Sequence, residues 1–473
     1  MTELWRWSAA RLARGIASRE ISSREALNSV LERVEQVNPE LNAIVEVLAE
    51  SAMIAADAAD AAIAQGLPLG PLHGVPVTTK INVDQVGLAT TNGLVSMRNN
   101  IAWQDSPVVE NLRKAGAVIF GRTNTPAFSW RWATDNALHG RTLNPWSRDH
   151  TPGGSSGGAS AAVASGMGPV AHGNDLAGSI RYPAYCTGIV GLRPSFGRVP
   201  AFLPSSAQER PFSAQLMSVQ GPLARRVADL RLALEAMSAG DPRDPWWVPA
   251  PLHWPKTQGP IRVALTYDAA GVQASSPVVA ALRRAAAWLE QAGYQVEEVD
   301  PPRMAEAAAL WDEIGHGEAL VLMTDAIAND GDDGIRTFIE RITRHTPRPD
   351  ARSYMRALAR RSSLIRDWTL FMLDYPLVLG PVSADLPFTW GLDVGAQHDV
   401  DRLRAAQGPQ FLVPLLGFPA ASVPCGVDRG LPVGVQLIGA RFREDMVLDA
   451  AEAIESAQPE LTPIDPWSGE SKP

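Results

Sequence analysis

Residues 150–166 read HTPGGSSGGASAAVASG: four glycines surround two adjacent serines, and an alanine-rich run follows at once. A flexible Gly/Ser linker would lie between polar, loop-like flanks, whereas ASAAVASG favours a helix. A phosphate-binding P-loop would carry a Lys-Ser/Thr pair, and this stretch has none. Ser155 does fit G-x-S-x-G, the nucleophile-elbow pattern, so a Ser-His-Asp esterase of the α/β-hydrolase type remains open.

A second turn rich in glycine and serine, residues 172–184, reads HGNDLAGSIRYPA. Gly178 precedes Ser179, and glycine permits the tight turn that directs consecutive backbone N–H groups at one point. That arrangement suits an oxyanion hole. Two ordinary surface turns would be the plainer interpretation, but two serine-bearing glycine turns together favour a catalytic site. His73 and His172 flank the motifs and fit turn or packing positions better than the role of a base.

Lys80 is the candidate base for a serine nucleophile. It lies in GVPVTTKINVD, residues 74–84, a mainly apolar segment where burial would lower its pKa and let it act as a neutral amine. Arginine does not deprotonate in proteins, and only four of the 42 basic residues are lysines. Lys114 is expected to be a surface charge on a helix. Lys256 and Lys472 lie in a proline-rich loop and in the tail, where neither is a candidate.

Composition limits the functional class. The chain has 473 residues, a net charge of −9 and 45% hydrophobic residues, which indicates a globular protein with a sizeable core. The acidic balance argues against nucleic-acid and anionic-membrane binding and favours a small-molecule ligand. The first residues carry no apolar stretch typical of a signal peptide, so we expect a cytoplasmic protein. Two cysteines are too few for a disulfide framework or a cysteine-rich metal site.

Hydrophobic periodicity predicts an α/β fold. Ser22 and Glu25 form a capping-box pattern at the start of a helix over 22–37. Helical and strand-like segments then alternate, which is typical of a layered fold around a central sheet. Residues 303–373 are mostly helical, and strand-like runs return afterwards. We therefore expect both ends of the chain to contribute to the sheet.

Three segments together resemble the amidase signature family: VTTKINVDQVG, GGSSGGASAAVASG and GNDLAGSIRYPA, in this order. The resemblance extends from about residue 20 to about residue 455. It implies a single amidase domain over 1–473, with a mixed central β-sheet flanked by α-helices. The signature core would span about 70–200, and a variable region shaping the substrate pocket about 300–400.

The resemblance also implies a Ser-cisSer-Lys triad, in which Ser179 is the nucleophile, Ser155 the bridging serine and Lys80 the base. The implied oxyanion hole consists of the backbone N–H groups of Leu176, Ala177, Gly178 and Ser179. Four further residues are expected to support the two turns: Ser156, Asn174, Asp175 and Arg181.

The function implied is hydrolysis of a small, hydrophobic or aryl amide through an acyl-enzyme, with esters, anilides or carbamates as further substrates. The family needs neither metal nor organic cofactor, and a homodimer is compatible with it. A glutaminase subunit of a tRNA-dependent amidotransferase is the alternative on the same fold. Seven large side chains of the variable region are candidates for core or pocket: Trp311, Met323, Trp368, Phe371, Met372, Phe388 and Trp390.

Overall fold

Eleven β-strands are present in the computed structural model, which describes residues 3–255 and 259–467. Lys256 and Lys472 lie outside these ranges. The strands are β1 Ile44–Val47, β2 Pro76–Lys80, β3 Val118–Thr123, β4 Val170–Asp175, β5 Val190–Arg193, β6 Val219–Ala224, β7 Arg262–Leu265, β8 Gln295–Glu298, β9 Leu377–Pro381, β10 Ala420–Asp428 and β11 Leu431–Gly439.

The α-helices of the same ranges pack around these strands. They are α1 Ala9–Ala17, α2 Ser23–Leu41, α3 Ala49–Ala64, α4 Pro107–Lys114, α5 Gly157–Ala164, α6 Arg181–Thr187, α7 Phe212–Met217, α8 Val227–Met237, α9 Ser276–Gln291, α10 Met304–Leu322, α11 Thr324–Asp330, α12 Asp333–Ile342, α13 Ala351–Asp374, α14 Gln397–Ala406, α15 Gly408–Leu416 and α16 Glu444–Ser456. None of these helices has the length and hydropathy needed to cross a membrane.

The strands form one mixed sheet in the order β1-β3-β2-β4-β6-β5-β10-β11-β9-β7-β8. β2 runs parallel to β3 and β4, and β7 runs parallel to β8 and β9, whereas the other neighbouring pairs are antiparallel. β5 from the first half of the chain pairs with β10 near its end. This pairing confirms that both ends of the chain contribute to the sheet.

Local sequence signals explain several elements. The Ser22 side chain accepts a hydrogen bond from the N–H of Glu25, and the Glu25 carboxylate accepts from the N–H of Ser22, which confirms the capping box at α2. The run after the paired serines forms α5, and every residue of α5 is buried. A linker would be exposed, so the linker interpretation of residues 150–166 is wrong.

Three strands of the sheet were not predicted by periodicity: β4, β5 and β6. Their sequences are VAHGND, VGLR and VQGPLA. Glycine, proline and polar residues are depleted in typical strands, and here they lie in strands that are mostly or entirely buried. Pairing within the sheet therefore overrides local propensity at the centre of the molecule.

A buried ion pair fastens the C-terminal helix α16 to the segment after β5. Glu444 lies 2.9 Å from Arg198 and also accepts a hydrogen bond of 2.8 Å from the N–H of Ser195. Both charged side chains are 2% exposed. Removing one partner of such a pair leaves an uncompensated charge in the interior.

We expect Glu444→Ala to lower the free energy of unfolding by about 3 kcal/mol. Urea denaturation followed by circular dichroism measures this value. Asp57→Ala is the matched control, because the Arg24–Asp57 pair is about half exposed, and its loss should cost no more than about 1 kcal/mol. Equal effects of the two substitutions would show that burial of the Arg198–Glu444 pair adds nothing to its contribution.

Candidate active site

Lys80 is the last residue of β2 and is fully buried. Its Nζ lies 2.7 Å from the Oγ of Ser155 and 2.8 Å from the Oδ1 of Asn174. Burial lowers the pKa of Lys80 well below its ordinary value, and the negative charge of Asp175 opposes this only in part. The site therefore favours the neutral amine, which can accept a proton.

Ser155 lies in the turn that leads into α5, and the Gly154–Ser155 peptide bond is cis. Gly154 packs so closely against neighbouring backbone that a Cβ atom there would clash. The next residue, Ser156, is fully buried, and its N–H donates to the carbonyl of Ser179 at 3.2 Å. This hydrogen bond joins the two serine-bearing turns.

Ser179 lies in the turn between β4 and α6 and is 8% exposed. Gly178 has a φ of +90°, a backbone conformation that favours glycine, and a Cβ atom there would strike the side chain of Gln410. Ser179 and Ser155 line one cavity. Ser179 also lines a side pocket that shares residues with that cavity. The turn thus places Ser179 where the main cavity and the side pocket meet.

The backbone N–H groups before Ser179 do not all face the same way. Gly178 donates its N–H to the Oδ1 of Asp175 at 2.8 Å. Among the described residues, the N–H groups of Leu176, Ala177 and Ser179 have no protein acceptor. The geometry therefore differs from the expected set of four oxyanion donors, because the hydrogen bond to Asp175 engages Gly178.

Asp175 and Arg181 form a fully buried ion pair at 2.9 Å, and Arg193 lies 3.6 Å from the other oxygen of the same carboxylate. Burial alone would raise the pKa of Asp175. The two arginines outweigh burial and hold this pKa below its ordinary value. Asp175 is therefore an ionised carboxylate whose ion pair with Arg181 braces the turn.

A chain of polar side chains extends from Lys80 along the cavity wall, and most of it was not predicted from the sequence. Asn174 accepts from Lys80 and donates to the Oδ1 of Asn82 at 2.9 Å. Asn82 donates to the Oγ of Ser129, which donates to Asn92. Asn82 lies two residues after Lys80 in the same motif, but the positions of Asn92 and Ser129 carry no signal in sequence.

Neither histidine beside the motifs approaches a serine of the site. His172 is buried, with Nδ1 accepting from the N–H of Lys80 at 3.4 Å and Nε2 lying 2.8 Å from the Oε1 of Gln220. Burial lowers the pKa of His172 to about 4. His73 contacts the carbonyl of Ala59 at 2.9 Å. Neither His73 nor His172 is therefore placed to act as the base of an esterase triad.

The cavity at Ser155 and Ser179 has a volume of about 360 Å³. Its walls also include large apolar side chains: Met97, Phe128, Trp130, Phe202, Leu203 and Met323. Aromatic rings surround the side pocket: Trp130, Trp132, Trp311, His316, Phe338 and Phe411. Most of these rings come from distant parts of the chain, so local sequence signals could not identify them.

The variable region contributes to these walls mainly through α10. Of its seven large candidates, Trp311 lines the side pocket and Met323 the main cavity. The other five belong to the core or pack against it: Trp368, Met372, Phe388, Phe371 and Trp390. In the described residues no group of three or more His, Cys, Asp or Glu side chains is arranged to bind a metal ion.

Comparisons with known proteins agree with this geometry. The family model named Amidase matches residues 25–448. The chain belongs to the amidase signature family. It is 47% identical to an indoleacetamide hydrolase of Bradyrhizobium diazoefficiens, over 96% of this chain and 87% of the relative. It is 34% identical to a glutamyl-tRNA(Gln) amidotransferase subunit of Moorella thermoacetica, over 96% and 97% of the two chains.

Among solved structures, a bacterial aryl acylamidase of the amidase signature family superimposes on this amidase with a TM-score of 0.82. The two are 29% identical, and the match covers 96% of each chain. The protein is an amide hydrolase that acts on a carbon–nitrogen bond. Its fold excludes the α/β-hydrolase esterase, because that hypothesis required a different fold.

The burial of Lys80 predicts a pH-dependent stability. Between the folded-state and unfolded-state pKa values the unfolded chain carries a proton on this lysine that the folded amidase does not. Stability therefore rises with pH in that range and is lost as pH falls. Lys80→Met removes the titrating group, so the variant should gain stability relative to the natural protein as pH is lowered from about 9 to about 6.

Urea denaturation at a series of pH values measures this difference. Lys114→Met is the matched control, since Lys114 is 64% exposed and paired with Glu110 at the surface. The difference in free energy of unfolding between Lys114→Met and the natural protein should stay constant from about pH 9 to about pH 6. A Lys80→Met curve parallel to that of the natural protein would show that Lys80 is charged in the folded state.

Proposed function

We propose that Lys80, Ser155 and Ser179 are the catalytic triad of this amidase. The observation that carries the proposal is the contact of 2.7 Å between the Nζ of buried Lys80 and the Oγ of Ser155. Ser155 and Ser179 share one cavity wall, and the Ser156–Ser179 hydrogen bond holds their turns together. A neutral Lys80 is suited to accept the proton that Ser155 passes on.

The proposed reaction has two steps. In the first, Ser179 Oγ bonds to the amide carbonyl carbon while its proton passes to Ser155 and the Ser155 proton passes to Lys80. The carbon–nitrogen bond then breaks as Ser155 donates a proton to the leaving nitrogen and Lys80 returns its proton to Ser155. In the second step, water attacks the acyl-Ser179 ester, which releases the carboxylic acid and restores the serine.

The negative oxygen of the tetrahedral intermediate requires hydrogen-bond donors that are already in place. We propose the N–H groups of Leu176, Ala177 and Ser179 for this role. Gly178 is left out of the proposed set, because its N–H donates to Asp175 at 2.8 Å. Gly178 instead permits the positive φ that the turn needs.

We infer that the substrates are primary amides of arylacetic acids, such as indoleacetamide. The relative at 47% identity is an indoleacetamide hydrolase, and an apolar cavity of about 360 Å³ with aromatic walls suits such a ring. The polar chain through Asn174 and Asn82 also lines the cavity and offers hydrogen-bond partners for the amide. Esters, anilides and carbamates are further proposed substrates, since they form the same acyl-enzyme.

Glutamine is a weaker candidate, although an amidotransferase subunit is among the relatives. Free glutamine carries an ammonium group that requires an available carboxylate. Among the described residues lining the cavity, Arg210 and Glu318 are the charged ones. Glu318 already accepts hydrogen bonds from the N–H groups of Phe212 and Ser213 and from the hydroxyl of Tyr354. Glu318 is therefore already engaged by three protein donors, which favours an apolar substrate over the ammonium of glutamine.

Three further sequence-based expectations stay predictions: a single domain over 1–473, a homodimer, and a cytoplasmic location. One continuous sheet through the described residues supports the first. Light scattering of the purified protein tests the second, and cell fractionation tests the third.

The triad predicts the site of covalent labelling. Phenylmethylsulfonyl fluoride should modify Ser179, and peptide mapping by mass spectrometry identifies the adduct. Ser179→Ala, Ser155→Ala and Lys80→Ala should each reduce the rate by about 10³-fold or more. Lys114→Ala and His73→Ala should leave it unchanged. An adduct on Ser155 with Ser179 unmodified would overturn the assignment.

The substrate proposal predicts a clear preference between two primary amides. The purified enzyme should release ammonia from indoleacetamide with a kcat/KM at least about 100-fold above that for glutamine, because glutamine lacks the aromatic ring that the apolar walls of the cavity would hold. A coupled ammonia assay measures both values. Equal values, or a preference for glutamine, would favour the amidotransferase function instead.

A further inference from the structure

Two tryptophan side chains hold the backbone of the turn before Ser179. The indole N–H of Trp311 donates to the carbonyl of Leu176 at 3.1 Å. The indole N–H of Trp132 donates to the carbonyl of Ala177 at 3.0 Å. These are consecutive carbonyl groups of the turn that supplies the proposed oxyanion donors.

A peptide group is planar, so the direction of a carbonyl fixes the opposite direction of the next N–H. Trp311 binds the carbonyl of Leu176 and thereby orients the N–H of Ala177, a proposed oxyanion donor. The following peptide group is held at both ends, with its carbonyl on Trp132 and its N–H on Asp175. The turn therefore cannot rotate either peptide without losing a hydrogen bond.

Aromatic packing fixes the two indoles themselves. Phe411 stacks on Trp311 with ring centroids 4.5 Å apart and lies against Trp132 at 5.5 Å. The three side chains are nearly buried, at 2–4% exposure. Arg131, beside Trp132, forms a buried ion pair of 2.9 Å with Asp393. Segments distant in sequence thus converge on this one turn.

We propose that Trp311 and Trp132 are positioning residues for the turn that supplies the oxyanion donors of the amidase. Trp311 orients the N–H of Ala177 through the carbonyl of Leu176, and Trp132 fixes the next peptide of the turn through the carbonyl of Ala177. They act through the backbone and need not touch the substrate. The inference rests on the proposed function, because it takes Ser179 as the nucleophile. It adds two side chains that neither sequence motif contains.

Single substitutions that remove the indole N–H test the proposal. Trp311→Phe and Trp132→Phe should each lower kcat by about tenfold to a hundredfold, with KM changed by less than about twofold. Binding of an aryl boronic acid, which forms a tetrahedral adduct on a nucleophilic serine, should weaken by the same factor as kcat. Binding of the carboxylic acid product should not change. If the two tryptophans only stabilised the fold, their substitution would change the affinities for the boronic acid and for the carboxylic acid product by similar factors.

Trp368→Phe is the matched control. Its indole N–H also donates to a backbone carbonyl, that of Pro302, at 2.8 Å, and the ring is fully buried away from the site. This variant should lose as much thermal stability as the other two while keeping kcat. Replacement of Trp311 by benzothienylalanine, which keeps the ring shape and removes only the N–H, serves if the Phe variants do not fold.

The outcomes separate the two proposals. If the sulfonyl fluoride modifies Ser179 and the Trp132 and Trp311 variants keep kcat and boronic acid affinity, the positioning role is wrong and the triad stands. If the sulfonyl fluoride modifies another residue, the proposed function itself is wrong. The positioning role would also be wrong if Trp368→Phe lowered kcat as much as Trp132→Phe and Trp311→Phe do, because the loss would then follow from weaker packing alone.

Discussion

The buried carboxylate of Asp175 is the group on which the site depends. It ends β4, pairs with Arg181 at the start of α6, and lies near Arg193 at the end of β5. Arg181 also donates to Gln436 of β11 and to two carbonyls of α15. One ionised side chain therefore joins the turn of Ser179 to strands and helices from both halves of the chain.

The same carboxylate sets the electrostatics around Lys80. Burial disfavours the ammonium form of the lysine, and the charge of Asp175 offsets part of that penalty. The two arginines neutralise Asp175 locally, which limits how far it can favour a protonated lysine. Parallel pairing of β2 with β4 brings their carboxyl ends together, so this balance follows directly from the order of strands in the sheet.

The sequence allowed prediction of the groups that carry local signals. The capping box of Ser22 and Glu25, the helix after the paired serines and the scarcity of lysine each indicated a feature that the structure contains.

Other features depend on contacts that no local pattern encodes. The direction of the Gly178 N–H follows from the backbone angles of the turn and from the nearby Asp175. Trp132, Trp311 and Phe411 meet only after the sheet has formed. The strands β4 to β6 are rich in residues that are poor strand formers alone, and neighbouring strands stabilise them.

The pairing of β5 with β10 has a consequence for biosynthesis. Ala420 pairs with Arg193, so the ribosome must complete nearly the whole chain before the edge of β5 finds its neighbour. Contacts so distant in sequence make folding slow, and an open strand edge invites pairing with other chains. The nascent chain therefore exposes apolar surface for longer than a protein of local contacts would, and during that interval it is open to aggregation.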